Sequence, residues 1–195
     1  MWKLIFLVGG GVLCYLGYQE WSLAATANAT PEEITLKKLI ERGPDGNPNV
    51  IITDFVLGNN FVTSSRRGRW TKVWVPVVPR EDIEELKGEG VKVESIRAIL
   101  CSTKVRTAEE IQTRLNQPKV PGMVINKIAS LGSKEKELLK TSYTNVDFDR
   151  CLIIEEGREP ADVMKLSLYF GGGAACILVG AFLLLRPRQA APAQA

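Results

Sequence analysis

The side chains that could carry out chemistry in this chain are few, and histidine is not among its 195 residues. The chain therefore lacks the usual general base near neutral pH and the commonest zinc ligand. Asp54 lies in an apolar, strand-like run, where burial would raise its pKa and make it a candidate base. An Asp54 that faces solvent is the alternative. Adjacent Glu155 and Glu156 point to opposite faces of a predicted strand, so they form no catalytic pair. We predict a chain that is not an enzyme, with no catalytic residue and no cofactor.

Cysteines are the next candidates for chemistry, and none of the four has the CxxC spacing of a structural metal site. We therefore predict no metal site. Cys14 and Cys176 lie in apolar runs, where a thiol behaves as a small hydrophobic group. Cys101 and Cys151 lie in strand-like segments of the polar middle. Two interpretations stay open for them: a pair of buried free thiols, or a disulfide, which would need an oxidising compartment.

One cluster combines cations with aromatic rings. Arg66, Arg67 and Arg69 occupy the tip of a predicted hairpin and are followed by Trp70 and Trp74. Arginine and tryptophan are enriched where proteins bind partners, and arginine also binds lipid headgroups. These five residues are therefore a candidate patch for a partner or a headgroup. The alternative is a solvated loop beside tryptophans that are covered by a helix.

The strand predicted at 70–78 separates its two faces clearly. Val73, Val75 and Val77 share one face and should join the core, and the two tryptophans share the other. Pro76 and Pro79 indicate an edge strand, because proline cannot donate a hydrogen bond to a neighbouring strand.

Both ends of the chain are apolar, in runs at 4–18 and 166–185. A helix of about 20 residues rises about 30 Å, the thickness of a bilayer's hydrocarbon core. We predict a transmembrane helix at 166–185 and a transmembrane anchor at 1–22. A signal peptide cleaved after the Ala-Thr-Ala at 25–27 is the alternative for the first run.

The charges that flank the two runs predict an orientation. Basic residues are favoured on the cytoplasmic side of a membrane, and Glu20 follows the first run on the opposite side. We therefore expect cytoplasmic termini, including a basic tail at 186–195, and an extracytoplasmic domain at 28–164. The basic residues that support this orientation are Lys3, Arg186 and Arg188.

Small residues in the second run could pack against another helix. Gly172, Cys176 and Gly180 are spaced four apart and therefore share one helix face. They predict either a hairpin of the two spans or a contact with another membrane subunit. The ordinary abundance of glycine in membrane helices is the alternative.

The middle of the chain is predicted to be an α+β domain of about six short, mostly antiparallel strands and three or four helices. Thr30, Thr107 and Ser133 each begin a capping pattern for a helix, and the first of these helices should end at Gly43. Runs rich in β-branched residues mark the strands, which we place at 49–57, 61–65, 70–78, 91–102, 120–128 and 151–156.

Charge is balanced in this domain, with about 21 basic and about 21 acidic side chains from Asn28 to Met164. This balance argues against nucleic acid as a partner. The combination of two anchors, a neutral domain and missing catalytic groups favours an interaction or assembly module. Its expected partners are membrane lipid and other membrane or envelope proteins. The alternative is a sensor or small-ligand domain that uses the Trp70 and Trp74 face.

Overall fold

The computed structural model describes residues 2–58, 60–86, 96–126, 131–143 and 147–185. The predicted tail at 186–195 and the side chain of Lys3 lie outside the described residues. The chain forms two compact units. The first combines the residues up to Ala25 with those from Ala161 onward, and the second runs from Thr26 to Pro160.

The Thr26–Pro160 unit is an α+β domain, as predicted. Its described strands are β1 Glu32–Thr35, β2 Asn49–Thr53, β3 Phe55–Leu57, β4 Val62–Arg66, β5 Arg69–Pro79, β6 Ala98–Ser102, β7 Lys119–Val124 and β8 Leu152–Glu156. Its described helices are α2 Leu36–Arg42, α3 Arg80–Leu86, α4 Ala108–Glu110, which continues as a π-helical turn Ile111–Leu115, and α5 Ser133–Ser142. The predicted strand residues 91–95 and 127–128 lie outside the described part of the chain.

All eight described strands belong to one mixed sheet, with the order β1-β2-β7-β8-β6-β5-β3 and with β4 paired to β5. The β1–β2 and β6–β8 pairs are parallel, and the other pairs are antiparallel. The prediction of mostly antiparallel strands is therefore confirmed. The prediction of about six strands was too low because β1 had been assigned to a helix and the 49–57 strand is divided at Asp54.

The division at Asp54 closes the sheet into a barrel. Only Asp54, with a left-handed φ of 53°, separates β2 from β3. Yet β2 pairs with β7, whereas β3 pairs with β5 at the far end of the strand order. β2, β3 and β4 therefore act as one bent strand in a five-membered ring, followed around it by β5, β6, β8 and β7. This order, with a helix between the third and fourth barrel strands in chain order, resembles the OB-type Greek-key barrel.

One hydrophobic core fills the barrel. Val73, Val75 and Val77 are buried in it, as predicted. The core also takes inward side chains from the other barrel strands and from the helices that cover its ends, among them Ile52, Phe55, Leu100, Val124, Ile154, Leu36, Leu39, Ile111 and Leu115. Inward residues from every ring strand in one cluster are the expected result of closure.

The first domain helix begins later than predicted. Glu32–Thr35, expected to be helical, pairs in parallel with β2, and α2 starts at Leu36. The N-cap is Thr35, whose Oγ1 accepts a hydrogen bond from the backbone N–H of Lys38 at 3.4 Å. The helix ends at Gly43, as predicted. The Thr-Pro-Glu-Glu pattern was overridden because pairing with β2 satisfies the same backbone groups.

Two other helix starts were tested. Thr107 caps α4, as predicted, and its Oγ1 accepts from the Glu110 N–H at 3.3 Å. Ser133 does not cap α5; Gly132 is the N-cap, and Ser133 is the first helical residue.

The prediction that β5 is an edge strand was wrong. β5 pairs with β6 on one side and with β3 and β4 on the other. The Pro76 carbonyl accepts from the Gly58 N–H at 2.7 Å. The nitrogen and the carbonyl of one strand residue point to the same side, so the nitrogen of Pro76, which has no hydrogen, also faces the gap where β3 ends. A missing donor costs little at a gap in the pairing.

The other unit contains α1 Trp2–Ala24 and α6 Val163–Leu185, which pack against each other. In the described part of the chain, α6 alone is long and apolar enough to cross a membrane. The two-span arrangement stays a prediction. The two helices are antiparallel, because Leu7 lies against Gly180 and Gly17 lies against Tyr169.

Candidate functional site

The predicted arginine hairpin is formed. Arg66 pairs with Arg69 across a two-residue turn in which Arg67 and Gly68 have φ values of 53° and 76°. Positive φ at both central residues defines a type I′ turn, whose twist matches the flanking strands. The arginine side chains at this tip are exposed to solvent.

The two tryptophans do not share a face, contrary to the alternation of their sequence. A β-bulge pairs Ser64 with Lys72 but Ser65 with Trp70, so Thr71 is an extra residue and the alternation reverses there. Trp70 packs against the barrel core, with its ring centroid 5.7 Å from that of Phe61.

Trp74 lies on the outer face of the barrel and is only 7% exposed. Its ring lies under the amine of Lys72, at 5.5 Å. Ile99 and Cys101, on the neighbouring strand, are also fully buried. α5 contacts β4 on this side, and the Tyr143 hydroxyl donates to the Asn60 carbonyl at 3.4 Å. The outer face of β5 and β6 is therefore covered at these residues.

Two cations that sequence reasoning missed lie in the segment after β6, and the register of β6 with β5 directs this segment toward the hairpin end of β5. Arg106 donates from Nη1 to the Trp70 carbonyl at 2.8 Å, which links the segment after β6 to the base of the hairpin. Lys104 is exposed in the same segment. No sequence pattern joins residues 104–106 to the hairpin, because the register of β5 with β6 brings them together. We call this surface the basic rim and define it as Arg66, Arg67, Arg69, Lys104 and Arg106.

The basic rim carries uncompensated charge. None of its five side chains forms an ion pair with a carboxylate in the described part of the chain. The nearest acids in sequence are Glu109 and Glu110. Glu110 accepts from the Arg106 backbone N–H at 2.6 Å. Hydrogen bonds from its own backbone N–H and from Thr107 hold the pKa of Glu109 below its usual range.

A second polar cluster joins the ends of β6 and β8 to the helical turn at 111–115, and sequence reasoning missed it too. Glu156 is 9% exposed and accepts from the Ser102 hydroxyl at 2.5 Å and from Arg114 Nε at 3.2 Å. Ser102 Oγ in turn accepts from the backbone N–H groups of Lys104 and Val105, at 3.1 and 3.3 Å. Glu155 lies on the opposite face, as predicted, and pairs with Arg158. Every group in the Ser102–Glu156–Arg114 cluster has a partner, so the arrangement fixes the turn at 102–105.

No protein-family model, no curated protein sequence and no solved structure matches this chain.

The domain cysteines are free, buried thiols. Cys101 on β6 pairs with Glu155 on β8, and Glu155 is four residues after Cys151. Four residues of extended chain span about 13 Å, so the two cysteines are separated by about that distance along the strand direction. A disulfide needs Cα atoms within about 7 Å, so of the two open interpretations the structure has the pair of buried free thiols, and the alternative Cys101–Cys151 disulfide does not fit this fold. Burial raises the pKa of each thiol to about 12.

The structure also places the remaining candidates for chemistry. Asp54 is exposed at the corner between β2 and β3, and its carbonyl accepts from the Arg80 N–H at 2.9 Å, so it is not a buried base. Among the described residues, no three cysteine or carboxylate side chains lie close enough to hold a metal ion.

The structure places the three small residues that were expected to pack, Gly172, Cys176 and Gly180, differently from one another. A Cβ on Gly180 would lie 2.9 Å from Leu7 Cγ, whereas a Cβ on Gly172 would meet nothing within 4 Å. Gly173, one residue along, faces α1 instead: its Cβ would lie 2.5 Å from the sulfur of Cys14. Cys176 is half-buried. The close-packed pair on α6 is therefore Gly173 and Gly180, seven residues apart.

Proposed function

We propose that this chain is a membrane-anchored module without catalytic activity that binds or helps to assemble other membrane or envelope proteins. In this proposal α1 and α6 cross the membrane as a hairpin, the termini are cytoplasmic, and the barrel domain is extracytoplasmic.

The surface of the helix pair is the observation that carries this proposal. Four glycines lie at the contact between the helices, namely Gly10, Gly17, Gly173 and Gly180, and large apolar side chains remain exposed on both helices. Contiguous apolar surface of this kind is rare on soluble proteins, and lipid would cover it without cost. The exposed side chains include Leu4, Ile5, Val8 and Val12 on α1 and Leu168, Leu178 and Phe182 on α6.

The charges at the ends of the helix pair support the orientation. Where α1 ends and α6 begins, Lys165 Nζ lies 3.3 Å from a Glu20 carboxylate oxygen. This ion pair cancels the charge at the end of the helix pair that continues into the domain. In the sequence, the basic residues Lys3, Arg186 and Arg188 flank the other ends of the two helices. The positive-inside rule then favours cytoplasmic termini.

The domain is suited to attachment at both ends. Asn47 Oδ1 accepts from the Asn28 N–H at 3.0 Å, and Asn49 Nδ2 donates to the Asn28 carbonyl at 2.9 Å, which fixes the incoming chain. Asn49 and Glu155 both pair with Met123, so the chain enters and leaves the domain only two strands apart. An antiparallel helix pair has neighbouring ends of this kind.

The absence of catalysis is supported by the side chains described above: Ser102 is fully engaged, both domain thiols have a pKa of about 12, and Asp54 is exposed. The small-ligand alternative has no comparable support, because Trp70 packs into the core and Trp74 is covered.

Membrane extraction and reporter fusions test the anchoring. We expect the full chain to stay in membranes washed with alkaline carbonate. A reporter that is active only in the cytoplasm should work when fused after Ala195 and should be silent when inserted near residue 90. Release by carbonate would overturn the membrane anchor, and the opposite reporter pattern would overturn the orientation.

Cross-linking in native membranes, followed by purification in mild detergent and mass spectrometry, tests the interaction role. A defined set of membrane or envelope proteins should be captured with the full chain and lost when the domain is replaced by an unrelated soluble domain. Capture that is unchanged by this replacement would contradict the proposal.

A further inference from the structure

We infer that the basic rim binds the phosphate groups of anionic lipids in the membrane that holds the helix pair. This inference rests on the proposed function, because it requires α1 and α6 to lie in a bilayer. It assigns lipid phosphate, and not a protein partner, to this patch, and it adds two residues, Lys104 and Arg106, to the hairpin arginines.

The rim is held in place by the backbone. The type I′ turn and the Arg66–Arg69 pair hold the three hairpin arginines together at one tip. The hydrogen bond from Arg106 to the Trp70 carbonyl ties the second segment to the same strand. Cations that are already gathered lose less entropy when they bind a row of phosphates than cations on separate loops.

One member of the rim, Lys104, adjoins the point where the chain leaves the domain. The amine of Lys104 lies against Gly157, the first residue after β8. Only six residues, 157–162, separate β8 from α6. A six-residue link spans at most about 21 Å when fully extended.

Proximity and charge together favour lipid over other anions. Headgroups beside the anchor are present at a high effective concentration, whereas a soluble anion must be captured from bulk solution. Each basic side chain near an anionic membrane surface contributes about fivefold in affinity. The domain as a whole is neutral, so this attraction is local to the rim.

Arginine modification in nanodiscs tests the inference with the full chain. The chain is placed in nanodiscs of phosphatidylcholine alone or of phosphatidylcholine with an equal part of phosphatidylglycerol, and phenylglyoxal modification of each arginine is followed by mass spectrometry. We expect Arg66, Arg67 and Arg69 to react at least about threefold more slowly in the anionic discs. Arg42 and Arg150, which are exposed elsewhere on the domain, should react equally in both. High salt should remove the difference, because it screens exposed charges.

Variants separate the rim from general electrostatics. The double variant K104Q/R106Q should lose most of the protection at the hairpin, and K134Q/K140Q, which removes two exposed cations on α5, should keep it. Equal loss in both variants would overturn the assignment to the rim.

Three further outcomes would overturn the inference in distinguishable ways. A chain that does not enter nanodiscs contradicts the membrane anchor itself. A chain that enters but reacts equally in both lipids contradicts the rim inference alone, and leaves an acidic protein as the partner to be sought. Equal protection by inorganic phosphate in neutral discs contradicts lipid as the source of the phosphate.

Discussion

Gly10 of α1 lies directly against Gly173 of α6, where a Cβ on Gly10 would fall 2.7 Å from the Gly173 carbonyl oxygen. Two backbones can approach this closely only where neither residue has a side chain. A Cβ added to any of three neighbouring glycines, Gly9, Gly11 or Gly172, would meet no atom within 4 Å. The close contact therefore depends on the position of a glycine on the helix and not on the number of glycines.

A disulfide between the two helices should report this position. The sulfur of Cys14 lies beside Gly173, so Gly173→Cys in a background with Cys176→Ala should form a disulfide with Cys14 on mild oxidation. Gly172→Cys in the same background is the matched control and should not. Mass spectrometry of tryptic peptides without reductant measures the product. Efficient coupling of Cys14 to position 172 instead would show that α6 is rotated from the face described here.

Features that depend on neighbours in the sequence were predictable. Val73, Val75 and Val77 alternate and are all buried in the core, and Thr107 and Gly43 mark the ends of helices. Each of these positions is decided by a few adjacent residues, because burial periodicity and capping are local properties.

Features that depend on strand pairing were not predictable. The pairing of β1 with β2 removed the first turn of a predicted helix, and one bulge residue, Thr71, moved Trp70 to the opposite face. The basic rim is incomplete in the sequence for the same reason, because Lys104 and Arg106 reach the hairpin only through the register of β5 and β6.

Barrel closure makes Asp54 sensitive to backbone conformation. A β-branched residue at its φ of 53° should cost roughly 1–2 kcal/mol, because a side chain branched at Cβ is crowded in left-handed backbone. Asp54→Val should therefore lower the free energy of unfolding, whereas Asp54→Gly should be tolerated. Thr63→Val, in extended backbone of β4, is the control and should change stability by less than about 0.5 kcal/mol.

Urea unfolding of the full chain in mild detergent, followed by tryptophan fluorescence, measures these variants. If Asp54→Val is as stable as Thr63→Val, the left-handed corner and the closure that depends on it are wrong.

The domain thiols should be unreactive while the domain is folded. With Cys14→Ala and Cys176→Ala, only Cys101 and Cys151 remain, and their pKa of about 12 leaves almost no thiolate at pH 8. Labelling with a disulfide reagent should be at least about a hundredfold slower than in urea, because the thiolate is the reactive form. Rapid labelling of two thiols without urea, or a mass lower by two hydrogens, would contradict two buried free thiols.

The same thiols predict how stability depends on pH. Their pKa is raised in the folded state, so the unfolded chain loses these protons first as pH rises. The two protonated thiols contribute fully to the free energy of unfolding below about pH 8.5, the ordinary thiol pKa. Their contribution is lost as the pH approaches 12. Urea midpoints should fall more steeply above pH 9 in the parent than in a Cys101→Ala and Cys151→Ala variant. Parallel pH profiles would contradict the raised pKa values.

The Ser102–Glu156 hydrogen bond should contribute measurably to stability because both partners are buried. Ser102→Ala removes the donor to Glu156 and the acceptor for the Lys104 and Val105 N–H groups, which should cost about 1–3 kcal/mol. Ser65→Ala, at an exposed position of β4, is the matched control and should cost less than about 0.5 kcal/mol.

A double-mutant cycle then separates this bond from general packing. If Ser102 acts through Glu156, the losses in free energy of unfolding caused by Ser102→Ala and by Glu156→Gln should not add in the double variant. The interaction energy between the two substitutions should exceed about 0.5 kcal/mol. Glu156→Gln keeps the shape of the side chain and removes the charge that Arg114 approaches at 3.2 Å. Strict additivity in urea unfolding would mean that Ser102 stabilises only the turn at 102–105, and that Glu156 is held by Arg114 alone.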